Sequence, residues 1–130
     1  MDILDRRELL ITQQNPDMTI DYLVSLEGQI KQPRDNNITI KIAYVPDQEI
    51  LQKRSLISYF EGVSQEVFPS LEYTGILLLN DFCNELVPRW LTIILSQDSN
   101  VDSHFQRHKI RLQDRQPNWS NSQLLSNHEW

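Results

Sequence analysis

The chain has 130 residues, 39% of them hydrophobic and 23% charged, which is enough for one domain to bury a core without disulfides or a metal. The formal net charge of −6 argues against a nonspecific nucleic-acid binder while leaving room for a locally basic pocket. Three glycines are too few for a phosphate-cradling glycine loop, and the lone Cys83 has no partner for an internal disulfide, which points to a reducing, cytoplasmic setting.

Residues 1–15 read as a polar N-terminal arm, with one apolar patch at Leu9, Leu10 and Ile11. The opening MDILDRRELL is too charged for a secretory signal, and no later apolar run is long enough to span a membrane, so no membrane partner is expected. From Met18 to Leu26, alternate residues Met18, Ile20, Tyr22, Val24 and Leu26 share a face, which is the period of a half-buried strand. Gly28, Pro33 and Asp35-Asn36-Asn37 predict a turn over 27–37. A second strand follows, with Ile38, Ile40, Ile42 and Tyr44 on one face, and Pro46 ends it.

The period then becomes helical at Leu56, Tyr59, Phe60, Val63 and Val67. Ser70 is placed to cap a second helix over Glu72–Leu86, with Leu79, Phe82, Cys83 and Leu86 facing inward, Gly75 weakening it slightly and Pro88 marking its end. A third strand, Trp90–Leu95, is a near-continuous apolar run, as expected for burial on both faces. Asp98-Ser99-Asn100 predicts a turn, and a fourth strand runs from Phe105 to Leu112 with Arg107, Lys109 and Arg111 on one side. Residues 113–130 read as a loosely ordered polar tail, or an arm that packs on a neighbour through Trp119 and Trp130. The order predicts an α+β fold over residues 16–112, an antiparallel four-stranded sheet with two helices on one face. Its free edges predict a homo-oligomer that closes into a barrel.

Three stretches carry a family resemblance: Tyr44-Val45-Pro46-Asp47 reading on through Gln52-Lys53-Arg54-Ser55-Leu56-Ile57-Ser58-Tyr59, then Pro88-Arg89-Trp90-Leu91, and Asn15-Pro16. Over roughly residues 15–97 the chain resembles the 7-cyano-7-deazaguanine reductases, nitrile reductases of the tunnelling-fold superfamily that make queuosine precursors. The resemblance implies a tunnelling fold and an NADPH-dependent reduction in which a cysteine thiolate attacks the nitrile and a nearby aspartate handles protons. It places NADPH contacts on Lys53, Arg54 and Ser55 and the deazapurine-anchoring glutamate on Glu72, with Leu71 where the family has a histidine. The nucleophile falls on Gln29 and the aspartate on Asn36, neither of which has the required chemistry. No cysteine precedes residue 83, so no shift of the alignment recovers the thiol.

Each residue also has a plainer role. Glu72 is placed as a helix first-turn carboxylate favoured by the macrodipole, and Cys83 as a small buried apolar residue. His104 and His108, about 13 Å apart on a strand, are too far apart to share a metal. The stripe of Arg107, Lys109 and Arg111 is either a positive tunnel wall for an anionic ligand or a solvated face, and not a nucleic-acid surface. The expected function is a divergent family member that binds a purine-, deazapurine- or pterin-like heterocycle through Glu72 at a subunit interface, without thiol chemistry. The alternatives are a structural or partner subunit working with a second tunnelling-fold chain, and an intact NADPH-dependent reductase.

Overall fold

The computed structural model describes residues 2–101 and 104–126. In chain order the elements are α1 (Ile3–Glu8), β1 (Thr12–Gln14), β2 (Val24–Ile30), β3 (Ile38–Val45), β4 (Glu49–Leu51), α2 (Lys53–Ser64), α3 (Leu71–Leu86), β5 (Trp90–Val101), β6 (His104–Arg115) and α4 (Ser122–Ser126), with a 3-10 turn at Pro33–Asp35. β2, β3, β5 and β6 form an antiparallel sheet in that spatial order, and β1 pairs with β4 in a separate two-stranded piece. The fold is therefore α+β, with an open main sheet whose edges are β2 and β6.

The alternation read in β3 sets the core. Ile38, Ile40, Ile42 and Tyr44 face α2 and α3, together with Leu91, Ile93 and Leu95 of β5, and meet Leu56, Tyr59, Phe60, Val63, Leu78, Phe82 and Leu86. β5 is buried on both faces through residue 95, as its near-continuous apolar run predicts. Ser70 caps α3 by accepting from the Tyr73 N–H at 3.0 Å, and Val87 ends the helix in the left-handed region just before Pro88. Gly75 lets α3 lie close to the sheet, because a Cβ there would press on Leu95, Ile110 and Leu112.

Several boundaries differ from expectation. The first strand of the main sheet begins at Val24, not Met18, because residues 15–23 form a loop in which Asp17 accepts from Thr19 and Arg89 binds the Met18 carbonyl. The strand runs on through Gly28, which lies against the Phe60 ring, to Ile30, so the turn is confined to residues 31–37. Val67, expected on the inner face of the first long helix, lies beyond α2 and is exposed, whereas the buried inner face of α3 also includes Leu71, Thr74, Leu78 and Asp81. Asp98-Ser99-Asn100 is strand rather than turn. These residues favour turns, but here each pairs across β6, and Asp98 binds Arg107 at 3.0 Å. β6 extends three residues past Leu112.

The N-terminal arm folds back as part of the body. Leu10 joins the core, and β1 is stitched to β4. Its anchor is Asp81, a fully buried carboxylate on the inner side of α3. Asp81 accepts from Arg6 Nε at 2.5 Å and Arg6 Nη2 at 3.1 Å, from Arg7 Nε at 2.9 Å and from the Tyr59 hydroxyl at 2.6 Å. Burial, with the Asp81 charge adding to it, pushes the Tyr59 hydroxyl far above its ordinary value, so it remains a donor. Removing one partner of such a buried pair costs about 3–5 kcal/mol. Asp81→Asn is expected to lower unfolding free energy in urea by about that amount and to expose the segment carrying α1 to proteolysis.

A second node holds the opposite end. The Arg89 N–H donates to Val45 O at 2.9 Å, and its guanidinium reaches Asp21 at 2.7 Å, Met18 O at 2.6 Å and Asp47 at 3.5 Å. Asn15 donates to Asp47 O at 2.7 Å and accepts from the Tyr22 hydroxyl at 2.6 Å. The tail completes the node. Gln116 donates to Asp47, Trp119 Nε1 and Asn121 donate to Asp21, and Trp119, Leu124 and Leu125 cover Ala43, Val45 and Trp90 on the sheet face away from the helices. The tail thus packs on its own chain as far as residue 126, rather than lying loose; Trp130 falls outside the described residues.

Burial raises the Asp21 carboxyl, but the hydrogen bonds from Asn121, Arg89 and Trp119 and the Arg89 charge outweigh it, leaving the group below its ordinary value. The folded state therefore binds this proton more weakly than the unfolded chain. The resulting stabilisation is full above the unfolded value of about 3.9 and disappears as pH falls through the lower folded value. Acid titration of tryptophan emission should register release of Trp119 below about pH 4, whereas Asp21→Ala should give the released emission already at neutral pH.

Candidate functional site

The three motif stretches meet at the Arg89 node. Val45 stands opposite Trp90 in the β3–β5 ladder, Asp47 and Arg89 are ion-paired, and Asn15 hydrogen-bonds the Asp47 carbonyl. Tyr44 is buried and its hydroxyl accepts from the Leu51 N–H at 2.9 Å, which pins the turn after Pro46. These contacts of Asn15, Tyr44, Asp47 and Arg89 are architectural: they clamp the sheet at one end.

At the other end, Glu72 occupies the first turn of α3 and reaches the edge strand, where its Oε1 lies 3.0 Å from His108 Nε2. Both side chains are more than half exposed. Leu71 beside it is buried in the core and presents no polar group. His108 lines a cleft of about 610 Å³ with Asn36, Gln97, Ser99 and Gln106. Asn36 is held there by its carbonyl, which accepts from Gln97 Nε2 at 2.8 Å. Of the positions singled out by the family resemblance, Asn36 lines this polar cleft and Glu72 touches its histidine, a residue that the pattern of the sequence did not connect to either. The signal was available only as a register fact: His108 faces the helix side of β6, in line with Ile110 and Leu112.

Gln29 lies elsewhere, on edge strand β2. With Leu26, Gly28, Lys53, Leu56, Ile57 and Phe60 it lines a cleft of about 630 Å³ between β2 and α2. Lys53 and Arg54 are exposed at the start of α2, but Ser55 is buried. Its hydroxyl donates to Gln52 O at 2.7 Å and accepts from the Ile11 N–H at 3.0 Å, tying α2 to the N-terminal segment. Of the implied NADPH contacts, two cations are presented and one hydroxyl is already engaged. The residues fit a phosphate charge but not the full cofactor motif, and no thiol stands at either cleft.

Cys83 is far from a reactive state. Burial, with the Asp114 charge adding to it, pushes the thiol up to about 12, and Sγ lies 3.7 Å from Asp114 Oδ2. The thiolate fraction at pH 8 is then small, and alkylation by iodoacetamide is expected to run at least about a hundredfold slower than for an unperturbed cysteine. His104 and His108 share one side of β6 four residues apart, and no group of three or more His, Cys, Asp or Glu placed to hold a metal occurs among the described residues.

The stripe of Arg107, Lys109 and Arg111 lies on the sheet face away from the helices, where Arg107 and Lys109 border a smaller cleft of about 270 Å³ with Lys41, Thr39, Ser96, Ile94 and Asp98. No helix among the described residues is long and apolar enough to cross a membrane. Comparison with protein-family models and with curated proteins returns no match.

Proposed function

We propose that the chain is a homo-oligomeric tunnelling-fold protein that binds a purine-, deazapurine- or pterin-like heterocycle at the seam between copies, without thiol-dependent nitrile reduction. The observation that carries this reading is the position of Glu72: an accessible carboxylate held by His108 of edge strand β6, which itself lines a polar cleft. A carboxylate there can accept two parallel hydrogen bonds from the ring N–H and exocyclic amine of a guanine-like edge.

The two free edges of the sheet supply the rest. The polar cleft lies beside β6, and the cleft with apolar walls at Leu26, Leu56 and Phe60 lies beside β2, both on the helix side of the sheet. Pairing β6 of one copy with β2 of the next sets Glu72 against a wall on which a planar ring can pack. It also removes both exposed ladders of unpaired backbone groups. The absence of any cysteine before residue 83, and the raised thiol of Cys83 three turns along α3 from Glu72, leave no nucleophile for the nitrile.

Two measurements test this. Sedimentation should give a closed oligomer, and guanine-like compounds or pterins should raise the melting temperature, the gain following RT ln(1 + [L]/Kd), about 2.7 kcal/mol at a hundredfold excess over Kd. Glu72→Gln should abolish the ligand shift while leaving the oligomer intact. A monomer with no shift for any of these compounds would refute the reading, as would NADPH consumption with the deazaguanine nitrile.

A further inference from the structure

We propose that the sheet face opposite the helices carries a phosphate-binding site formed by Lys41, Arg107 and Lys109 with the hydroxyls of Thr39 and Ser96. The site is separate from Glu72, and its argument does not depend on the heterocycle reading.

The register builds it. Thr39 of β3, Ser96 of β5 and Lys109 of β6 are cross-strand partners in one row; Lys41 stands two residues further along β3 and Arg107 two residues before Lys109 on β6, on opposite sides of that row because β3 and β6 both run antiparallel to β5. All five point to the same face and border one cleft of about 270 Å³ floored by the buried Ile94. That volume lies below the roughly 300–1,000 Å³ of a pocket that encloses a whole small molecule, so it suits a phosphoryl or diphosphate group.

Charge and hydrogen bonding point the same way. The chain is acidic overall, yet this cleft gathers three cations against one carboxylate, Asp98. Asp98 is already committed, taking Arg107 Nε at 3.0 Å, and the Arg107 guanidinium also lies 5.9 Å from the centre of the Phe105 ring. These contacts aim Arg107 while its Nη groups donate to no described residue. Lys41 is half-buried and Lys109 exposed, and neither forms an ion pair with a described residue; Glu27 stands opposite Lys41 in the β2–β3 ladder without bonding it. The Thr39 and Ser96 hydroxyls are likewise without described partners. Like charges gathered at one cleft repel, and an anion with several acceptor oxygens relieves that repulsion while satisfying both hydroxyls and the Arg107 fork.

Calorimetric titration of the full chain with inorganic pyrophosphate, at fixed ionic strength and with sodium sulfate as the comparison anion, tests the site. Saturable binding is expected, weakened at least tenfold in Lys41→Met/Lys109→Met and by less than twofold in Lys31→Gln/Arg34→Gln, which removes the same charge in the turn between β2 and β3. Should the first pair fail to fold, Arg107→Gln, on an exposed position of β6, is expected to weaken binding instead. The proposal is overturned if pyrophosphate binds no better than sulfate, or if the Lys31 and Arg34 pair loses binding while the sheet-face variants keep it. It is overturned equally if a single-stranded oligonucleotide binds through these residues and pyrophosphate does not.

Discussion

One arginine organises this molecule. Arg89 begins the strand at the centre of the sheet, and from there its backbone and guanidinium bond the end of β3, the loop before β2 and the turn before β4. The carboxylates it engages, Asp21 and Asp47, are the ones that receive Trp119, Asn121 and Gln116 from the tail. A planar fork with several fixed donors is suited to joining so many segments. Its partners are only part-buried, so the node escapes the desolvation cost that a deep ion pair carries. Asp81, by contrast, is wholly buried and is sustained by two guanidiniums and a phenol at once.

With one end of the sheet locked, the accessible chemistry is displaced to the other. Glu72, His108 and Asn36 on the helix side and Lys41, Arg107 and Lys109 on the opposite side all lie toward the end of the sheet remote from Arg89. The two faces carry opposite characters: a carboxylate paired with a histidine on one, an excess of cations on the other. They share Arg107, which borders both clefts. Rigid scaffolding beneath exposed polar groups is the usual way a small domain positions a binding site.

The core was legible because β3 and β5 follow simple rules. Alternation in Ile38–Tyr44 and near-continuous apolarity in Trp90–Leu95 are consequences of burying one face or two, and the structure places both as read. The helices were legible for the same reason, and Ser70 for its capping chemistry. What escaped reading depended on distant partners. The pattern from Met18 to Leu26 alternates, yet its first half is drawn into a loop by Arg89, which lies about seventy residues away in sequence. Asp98-Ser99-Asn100 has turn composition, yet cross-strand pairing with β6 overrides it. Asp81 carried a detectable signal, an acid beside Phe82 on an apolar helix face, but only the fold could name Arg6 and Arg7 as the groups that neutralise it. Of the candidate site, Glu72 and the basic stripe were visible as residues; their cleft partners became visible only through strand register.

The docked tail has a geometric consequence. By laying Trp119, Leu124 and Leu125 over Ala43, Val45 and Trp90, it roofs the Arg89 end of the sheet face that the helices leave open. The tail is therefore the counterpart of the two long helices: among the described residues it gives the four-stranded sheet a second, shorter cover on its opposite side.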